Sequence, residues 1–598
     1  MIIVAAAAAF VSCDKESRVS VPGSDAKVQT LTACFAPGET KTFFDGSTFK
    51  WKNGDAILVR SDNAAGYTEF NNTTGDCAGS VTFEAATEDN ITYGDESYAV
   101  YPNYVSDGCP KIEQGILKLC PKTTYTWSEG AVQAPMIAKV VSGQDLQFTH
   151  MGGLLKVTYK NVPPKARYIK VTAPIDATHY YKISQTMGSG GIYGWEDGAG
   201  FTLEKPYFKA YNNGKTNEYS VKIDINSATA AQRASDDGIT AYVPLPVGPT
   251  VVSEKNVYPT LKICLTFADG TTVPGSLRTA TNVQIERAHI KPMPAISLTK
   301  YTTETIISGL ARTPHDIIRL SDDKFVVTGE QYHVYFLDVN AKTATQSAVN
   351  GESKYPAYPY GVCYAGGDLY IANKDGSSKN GIYKYDMTTK IYSIIASGYN
   401  QPMQIKEHNG SVYLLCRGDG SAAGKIYVFP SGVPGAVASE VYADFSGIAS
   451  TGYAWPLSFA FDTDGSMVVA VSASSGTPSE CFKLYKVASK GATPVALFGS
   501  GTKPGNYAAM ADGASAAASF APDIQDIEFD GSGNLYIADQ YALRKLVRGT
   551  LGLEDGTIVT VTESGVLPRV DGLALDSTYS HIYVSDKTNK CIYKITIE

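Results

Sequence analysis

Apolar and polar residues alternate along most of this chain in short runs, as in 149–159 and 533–538. Alternation with a period of two is typical of β-strands that bury one face. Long runs with helical spacing are nearly absent, and the 56 Gly, 29 Pro and 39 Tyr suit many strands joined by tight turns. A chain of 598 residues is also too long for a single core. The sequence therefore predicts an all-β protein of several domains.

After residue 300 the strand pattern becomes repetitive. Six times, a proline precedes an apolar strand that is followed by a turn and further strands; these prolines are Pro314, Pro359, Pro402, Pro456, Pro522 and Pro568. The spacing of the units lies in the range for four-stranded blades with variable loops. The repeats predict a six-bladed β-propeller over residues 301–598.

The same pattern predicts how the ring of blades closes. An outer strand that ends in Ser-Gly precedes later units at 394–398 and 560–565, and the pattern also stands before the first unit at 305–309. The last unit has three strands before the chain reaches Glu598. We therefore expect residues 303–308 to supply the fourth strand of the last blade, which leaves no open edge between the first and last blades.

The fifth unit carries a more specific motif. It contains ADGA at 511–514, ASFAP at 518–522 and the strand region 529–539 with its Asp-Gly-Ser-Gly-Asn turn. These segments resemble an NHL repeat, whereas the other units match that repeat loosely. The resemblance implies an NHL-like propeller, and the six-bladed β-propeller remains the description that fits all units.

The N-terminal half contains strand-like segments in a characteristic order. In sequence these are KTFFDG (41–46), WKNGD (51–55), YAVYP (98–102), QAPMIA (133–138), LQFTHMGGLLKV (146–157), AYVPLP (241–246) and IERAHI (285–290). The ordered set resembles the fimbrillin family of Bacteroidetes surface proteins. The resemblance implies two transthyretin-like β-sandwich domains, 28–161 and 162–300, divided where Val-Pro-Pro at 162–164 interrupts the strands.

The resemblance also implies partners. Family members form pili by donating a β-strand to the exposed edge of a neighbouring subunit, after cleavage of an N-terminal segment behind Arg or Lys. Arg18, Lys27 and Lys41 all remain candidates for that cleavage. The segment that would be donated, 295–300, is followed at once by the propeller. This order favours a terminal pilus subunit, and a spacer on a monomeric lipoprotein is the equally open alternative.

The first 13 residues differ from the rest of the chain. Residues 1–10 are apolar and Ala-rich, and Val11 and Ser12 lead to Cys13. This arrangement resembles a bacterial lipobox, which implies a signal peptide over 1–13, acylation of Cys13 and a tether over 14–27. No apolar stretch of about 20 residues is present to span a bilayer. We therefore expect an outer-membrane, surface-exposed lipoprotein whose contact with the membrane is the lipid anchor alone.

Charge and motif searches exclude several function classes. The net charge is −8 without a basic cluster, which argues against a nucleic-acid partner. The cysteines other than Cys13 stand singly with no CxxC pair, so no zinc site is predicted, and a Cys109–Cys120 bridge stays open. The Asp-rich turn at 462–466 lacks the downstream acidic ligand of a calcium loop. His315 stands alone at the inner-strand position where metal-dependent propeller lyases hold several histidines. We therefore predict no catalytic residues, no metal and no cofactor.

A binding surface is the remaining prediction. Aromatic residues on variable loops of the propeller suit stacking on sugar rings or anchoring of a protein partner, and packing between blades is the competing explanation. The candidates are Tyr355, Tyr358, Tyr360, Tyr399, Tyr453, Trp455 and Tyr507. The preferred hypothesis is a surface adhesin or terminal pilus subunit whose propeller recognises a host protein or glycan. The alternatives are a glycan-binding lipoprotein of a polysaccharide-uptake system and a propeller lyase or hydrolase, the last resting on fold analogy alone.

Overall fold

The strands that the sequence pattern predicts form three bodies along the chain. The computed structural model describes residues 27–35, 51–60, 67–75, 80–87, 91–94, 97–101, 111–113, 116–119, 124–129, 134–150, 152–174, 192–193, 218–246, 255–347, 355–375, 380–435, 437–476 and 478–598. Cys13, Arg18, Lys41 and the Cys109–Cys120 pair lie outside these residues, and Lys27 begins the first described strand.

The first body is built from strands before residue 151. They are β1 (Lys27–Phe35), β2 (Ala56–Arg60), β3 (Tyr67–Asn72), β4 (Val81–Thr87), β5 (Tyr98–Tyr101), β6 (Lys111–Glu113), β7 (Ile116–Leu119), β8 (Thr124–Thr126), β9 (Met136–Lys139) and β10 (Leu146–His150). Seven of them form the first body, a closed barrel in the order β1-β10-β9-β5-β2-β3-β4, whereas β8 belongs to a sheet of the second body and β6 and β7 belong to a small separate sheet. β1 closes it, because it pairs antiparallel with β4 and parallel with β10. The structure therefore differs from the expected pair of separate sheets.

The core of the barrel is organised around Trp51. Its indole is almost fully buried, and Phe83, Tyr101 and Phe148 meet it edge-to-face with ring centroids 5.2, 5.4 and 5.4 Å away. Such pairs add to the free energy of burying the rings themselves. The WKNGD segment of the sequence thus places the central residue of the first core.

The second body takes most of the remaining strands before residue 300. They are β11 (Gly152–Lys160), β12 (Tyr168–Pro174), β13 (Ile192–Tyr193), β14 (Glu218–Asp224), the helix α1 (Ala230–Ala234), β15 (Ile239–Pro246), β16 (Lys255–Thr266), β17 (Arg278–Glu286), β18 (Ile290–Pro292) and β19 (Ile296–Ser297). One sheet has the order β15-β11-β18 with β19 also on β11, and the other has the order β17-β16-β12-β14-β8. β13 joins β6 and β7 in a separate small sheet. β11 pairs with β15, β18 and β19 of the second body.

The segment that corresponds to a donated strand is folded back on its own body. β19 runs parallel to the end of β11, with Tyr159 opposite Ile296, and the Ile296 side chain is buried. β18 occupies the preceding part of the same β11 edge. Both partners of this pairing therefore belong to one chain.

The propeller consists of six four-stranded sheets. Its strands are β20 (Tyr301–Ile307), β21 (Pro314–Arg319), β22 (Lys324–Gly329), β23 (His333–Asp338), β24 (Thr343–Gln346), β25 (Pro359–Ala365), β26 (Asp368–Asn373), β27 (Gly381–Tyr385), β28 (Tyr392–Ser397), β29 (Pro402–His408), β30 (Ser411–Cys416), β31 (Lys425–Phe429), β32 (Glu440–Asp444), β33 (Ala454–Phe461), β34 (Met467–Ala473), β35 (Lys483–Val487), β36 (Val495–Phe498), β37 (Ile524–Phe529), β38 (Leu535–Asp539), β39 (Ala542–Val547), β40 (Thr557–Thr560), β41 (Val570–Leu575), β42 (His581–Asp586) and β43 (Cys591–Ile597). A 3₁₀ turn covers Tyr507–Ala509.

The ring closes as the sequence predicted. β20 pairs antiparallel with β43, from Tyr301 opposite Ile597 to Ile307 opposite Ile592. Blade six is therefore β41, β42 and β43 from the end of the chain plus β20 from its start. The prediction of an all-β chain that ends in a six-bladed propeller is confirmed.

One residue of each inner strand connects its blade to the next; it is the third residue of the strand in five blades and the fifth residue of β33 in blade four. In order these residues are Asp316, Gly361, Gln404, Ser458, Asp526 and Gly572. Four of them accept a hydrogen bond from the backbone N–H of the following blade, at 2.9 Å (Asp316 to Val362), 2.8 Å (Gln404 to Phe459), 3.1 Å (Ser458 to Ile527) and 3.0 Å (Asp526 to Leu573). At the two glycines the next blade approaches too closely for a side chain: a Cβ on Gly361 would lie 2.5 Å from the Gln404 Cα.

A buried lysine completes this ring of contacts. Lys406 donates to Asp526 at 3.1 Å and to Glu528 at 2.6 Å, and Asp526 also accepts from Gln404 at 2.6 Å. The opposite charges of the carboxylates raise the pKa of Lys406 although burial opposes it, so the ammonium stays charged. Burial and the nearby Asp526 raise the pKa of Asp316. The channel is therefore filled at this level by a hydrogen-bonded network.

The second body contacts blade five of the propeller. The Lys165 ammonium donates to the Tyr507 carbonyl at 2.7 Å and lies 4.3 Å from the centre of the Tyr507 ring. Asp269 accepts from the backbone N–H of Ala514 at 3.3 Å. These contacts use the loop that carries the NHL-like motif.

Candidate functional site

One end of the propeller channel gathers residues from all six blades. Each second strand runs back along its inner strand, so the residue after it lies beside the residue that precedes the inner strand. The backbone N–H of Lys374, for example, donates to Tyr358 at 3.0 Å, and that of Arg417 donates to Gln401 at 2.9 Å. We call the residues that follow the second strands the rim; they are Glu330, Lys374, Arg417, Ser474, Gln540 and Lys587.

Beneath the rim lies a layer that we call the floor. It consists of the second residue in the inner-strand motif of each blade, namely His315, Tyr360, Met403, Leu457, Gln525 and Asp571, which line a small cavity together with Asp316 and Gln404. Floor and rim together form the channel mouth. Gln404 lines this cavity and also donates to Asp526, so the network around Lys406 lies directly next to the floor.

A histidine–aspartate pair dominates one side of the floor. His315 Nδ1 lies 2.9 Å from Asp571 Oδ2, and the imidazole stacks on Tyr360 with ring centroids 4.2 Å apart. His315 is only 4% exposed, and its Nε2 lies 3.9 Å from Glu330 Oε1. Burial, followed by the negative charges of Asp571 and Glu330, raises the pKa of Tyr360. The pair is therefore covered and rigidly held.

Four cationic side chains surround this floor. Arg569 pairs with Asp523 at 2.9 Å, and Lys587 approaches Asp571 at 4.0 Å. The other two lie over aromatic rings: Lys374 Nζ is 4.8 Å from the Tyr360 centroid, and the Arg417 guanidinium is 4.2 Å from the Trp455 centroid.

The environment of Lys374 is short of negative charge. Burial, with smaller contributions from the positive charges of Arg417 and Lys587, lowers the pKa of Lys374 to about 8. Burial likewise lowers the pKa of Arg417. Among the described residues, neither Lys374 nor Arg417 forms an ion pair within 4.0 Å. Two partly buried cations therefore stand together without a bound counter-charge.

The mouth also concentrates polar atoms that lack hydrogen-bond partners. Within the described part of the chain, buried atoms of this kind here are Arg417 Nε, Arg569 Nε, Gln540 Oε1, His315 Nε2 and Asp571 Oδ1. Buried polar groups are nearly always paired in folded proteins, so unpaired groups in one place indicate a site that water or a ligand completes.

Four of the predicted aromatic residues lie at the mouth. Tyr358 directly precedes the inner strand β25, and Tyr453 directly precedes the inner strand β33. Their side chains are 42% and 37% exposed. Tyr360 is part of the floor, and Trp455 lies beside it with its Nε1 donating to the Asp419 carbonyl at 3.2 Å. The structure thus places four of the predicted aromatic residues, from blades two and four, at the same end of the channel.

The other three predicted aromatics have packing roles. Tyr355 is buried and meets Tyr392 with centroids 5.3 Å apart. Tyr399 donates to Ser439 at 2.9 Å and packs edge-on against Tyr427. Tyr507 donates to the Thr562 carbonyl at 3.1 Å and contacts Lys165 of the second body. We therefore leave these three out of the candidate site.

Sequence reasoning missed the cations of the mouth. Lys374, Arg417 and Lys587 occupy equivalent places in blades two, three and six, one residue beyond the second strand. An alignment of the six blade sequences at the residue after the second strand, and not only at the prolines, would have revealed these cations. Arg569 precedes the inner strand of blade six and shares this neighbourhood.

The structure provides no metal-binding arrangement in the described residues. No group of three or more His, Cys, Asp and Glu side chains lies close enough there to hold an ion. In the Asp-rich turn, Asp464 accepts from Ser466 and pairs with Lys486 at 2.9 Å, which lowers its pKa to about 2. Asp462 pairs with Arg548. No described helix has the length and apolar character needed to cross a membrane.

Comparisons with known proteins give structural likenesses at low identity. No family model and no curated protein matches the sequence. A gluconolactonase from Xanthomonas campestris is similar at a TM-score of 0.36 and 11% identity, covering 50% of this chain and 90% of that one. A Bacteroides thetaiotaomicron protein of unknown function is similar at a TM-score of 0.37 and 12% identity, covering 82% of this chain and 99% of that one. An auxiliary nutrient binding protein from the same organism is similar at a TM-score of 0.37 and 13% identity, covering 60% of this chain and 87% of that one.

Proposed function

We propose that this chain is a surface-anchored carbohydrate-binding protein whose propeller holds its ligand at the channel mouth. The observation that carries the proposal is the placement of Tyr358, Tyr360, Tyr453 and Trp455 at the start of inner strands, at the same end of the channel as several unpaired polar atoms. Concave sites that combine aromatic faces with a few fixed polar groups are the usual form of ligand sites. Aromatic rings stack well on the apolar faces of sugars.

The geometry favours a rigid platform. The hydrogen bond from Trp455 to Asp419 and the contact with Arg417 fix the indole between blades three and four. Tyr358 and Tyr453 extend into solvent on either side of blade three. A ligand at this place would lose little free energy in ordering the side chains that it contacts.

Binding is better supported than catalysis. A lyase or hydrolase needs a proton-transferring group within hydrogen-bond reach of its substrate. The His315–Asp571 pair has the composition of such a group, but its imidazole is covered by Tyr360 and Glu330 and is 4% exposed. The pair therefore serves best as a rigid support for the Tyr360 ring.

The rest of the chain completes the proposal as anchor and stalk. The lipobox-like Cys13 would hold the protein on the outer membrane at the cell surface, and the two N-terminal bodies would carry the propeller away from it. The pairing of β18 and β19 with β11 of the same chain supports a monomeric stalk. Adhesion as a terminal pilus subunit is the second candidate, supported by β1, whose removal would open an edge of the barrel.

Binding of the purified full-length chain to a panel of plant, microbial and host polysaccharides tests the proposal by titration calorimetry. We expect at least one polysaccharide to bind, and Trp455→Ala to reduce its affinity by about ten-fold or more, as lost stacking contacts do. Tyr364→Ala is the matched control, because Tyr364 is an exposed aromatic residue near the opposite end of inner strand β25. Absence of binding across the panel, or equal loss in both variants, would contradict a carbohydrate site at the mouth.

A further inference from the structure

We propose that the ligand of the channel mouth is an acidic carbohydrate whose carboxylate or sulfate group binds between Lys374 and Arg417. This inference rests on the proposed function and adds the chemical class of the ligand. It follows from the cations of the rim, which the aromatic platform alone does not explain.

The first argument is the unbalanced charge of Lys374 and Arg417. Lys374 is partly buried over Tyr360, and Arg417 is partly buried over Trp455. In the described residues no carboxylate lies within ion-pair distance of either, and the Arg417 Nε has no acceptor. Burying a charge without a partner is unfavourable, so such cations are retained where an anion arrives from outside.

The second argument is that the neighbouring carboxylates are already engaged. Asp523 pairs with Arg569, and the Oδ2 atom of Asp571 lies 2.9 Å from His315 Nδ1. Glu330 Oε1 lies 3.9 Å from the other ring nitrogen of His315. Asp419 accepts from Ser421 and from Asn400 at 3.1 Å. These carboxylates are therefore held away from the two unpaired cations by their own contacts.

The third argument concerns the position of the cations relative to the aromatic rings. Arg417 lies directly over the Trp455 indole, and Lys374 lies over the phenol of Tyr360. An anion alone would need only the cations, whereas a sugar acid presents a ring for stacking and a charged group at its edge. Arginine is suited to this task, because its planar fork binds carboxylate or sulfate with two parallel hydrogen bonds.

The experiment compares ligands that differ in charge and share a backbone. Polygalacturonate and its fully methyl-esterified form differ in the carboxylate, and chondroitin sulfate and unsulfated chondroitin differ in the sulfate. A neutral galactan and poly-glutamate complete the set. We expect the full-length chain to bind polygalacturonate or chondroitin sulfate about ten-fold or more tightly than the uncharged galactan, with an affinity that falls as NaCl rises.

Variants locate the anion site. Lys374→Met and Arg417→Met should each weaken acidic-glycan binding by about ten-fold, in line with the loss of a charge-assisted hydrogen bond. Lys384→Met is the control, since Lys384 lies on the same blade as Lys374 and pairs with Asp368 at 2.6 Å away from the mouth. A single cooperative melting transition in each variant shows that folding is intact.

The possible outcomes separate this inference from the proposed function. Equal binding of the charged and uncharged glycans, lost in Trp455→Ala, would overturn the acidic ligand and leave a carbohydrate site standing. Binding of poly-glutamate as tightly as the acidic glycans would overturn the carbohydrate part and favour an acidic polypeptide. No binding of any probe would overturn both.

Discussion

At the scale of single residues, Lys374 lies in a place that disfavours its charged form. Burial and the charges of Arg417 and Lys587 disfavour its ammonium form, and Asp523 compensates only in part, so its pKa falls to about 8. The Tyr360 ring beneath it adds a favourable cation–π contact. A residue kept in such a place reduces stability at neutral pH and is expected to serve recognition instead.

This view predicts that Lys374→Met stabilises the protein at pH 7. The folded-state pKa of about 8 lies below the unfolded value of about 10.4. Below pH 8 both states hold the proton and the penalty of the buried charge is complete; between pH 8 and about 10.4 the folded state releases its proton first, and stability rises with pH. We therefore expect the variant to melt a few degrees higher than the unchanged chain at pH 7, and the difference to shrink by pH 10.

Calorimetric melting of both proteins across pH 6–10 measures this effect. Lys384→Met again supplies the control, because its ammonium pairs with Asp368 and gains from that contact. A Lys374 variant that melts lower than the unchanged chain at pH 7 would contradict this prediction, because it would show that the lysine stabilises the folded channel mouth.

At the scale of elements, the contacts within blade five explain why this blade carries the most specific sequence motif of the six. Arg544 on β39 is fully buried, and it donates to Asp512 at 2.8 Å and to Asp539 at 2.7 Å. It also binds the carbonyls of Ala511 and Ser519, while Asp512 accepts from the Thr560 backbone at 2.6 Å. The ADGA segment is therefore held in place by one ion-pair network that connects the entry loop to β38, β39 and β40.

Removal of this arginine should be strongly destabilising. Arg544→Met leaves Asp512 and Asp539 buried without their cation, and the loss of one partner of a buried ion pair typically costs about 3–5 kcal/mol in the free energy of unfolding. Lys425→Met on blade three is the control, since its pair with Asp444 is exposed and contributes about 0–1 kcal/mol. Chemical denaturation with urea compares the two; similar midpoints would refute a structural role for the network.

At the scale of the whole molecule, the closing strand connects the propeller to the rest of the chain. β20 leaves the second body and enters blade six, and the backbones of Lys300 and Glu598 exchange two hydrogen bonds of 2.8 Å. Lys165 and Asp269 add contacts from the second body to blade five. The second body is therefore joined to blade six through β20 and contacts the neighbouring blade five through Lys165 and Asp269.

The closing strand β20 predicts that a single substitution within it strongly lowers the free energy of unfolding. Ile307 is 5% exposed and packs in the cluster that includes Phe325 and Ile592, so Ile307→Ala should lower the free energy of unfolding of the propeller by about 2–5 kcal/mol. Thr303→Ala on the exposed part of the same strand should change it by about 0.5 kcal/mol or less. Thermal unfolding of the full chain measures both, and equal effects would mean that ring closure contributes little to stability.

The sequence by itself determined the all-β class, the six blades, the closing strand and the NHL-like unit. These features depend on local alternation and on a repeat, which are visible along the chain because each strand carries its own buried face. The tertiary structure decided the barrel closed by β1, the assignment of β11 and the composition of the channel mouth. Lys374 and Arg417 lie at the same end of the channel because each follows the second strand of its blade, in the consecutive blades two and three. Packing decided in the same way that Tyr355, Tyr399 and Tyr507 are structural, whereas Tyr358, Tyr453 and Trp455 lie where a ligand can reach them.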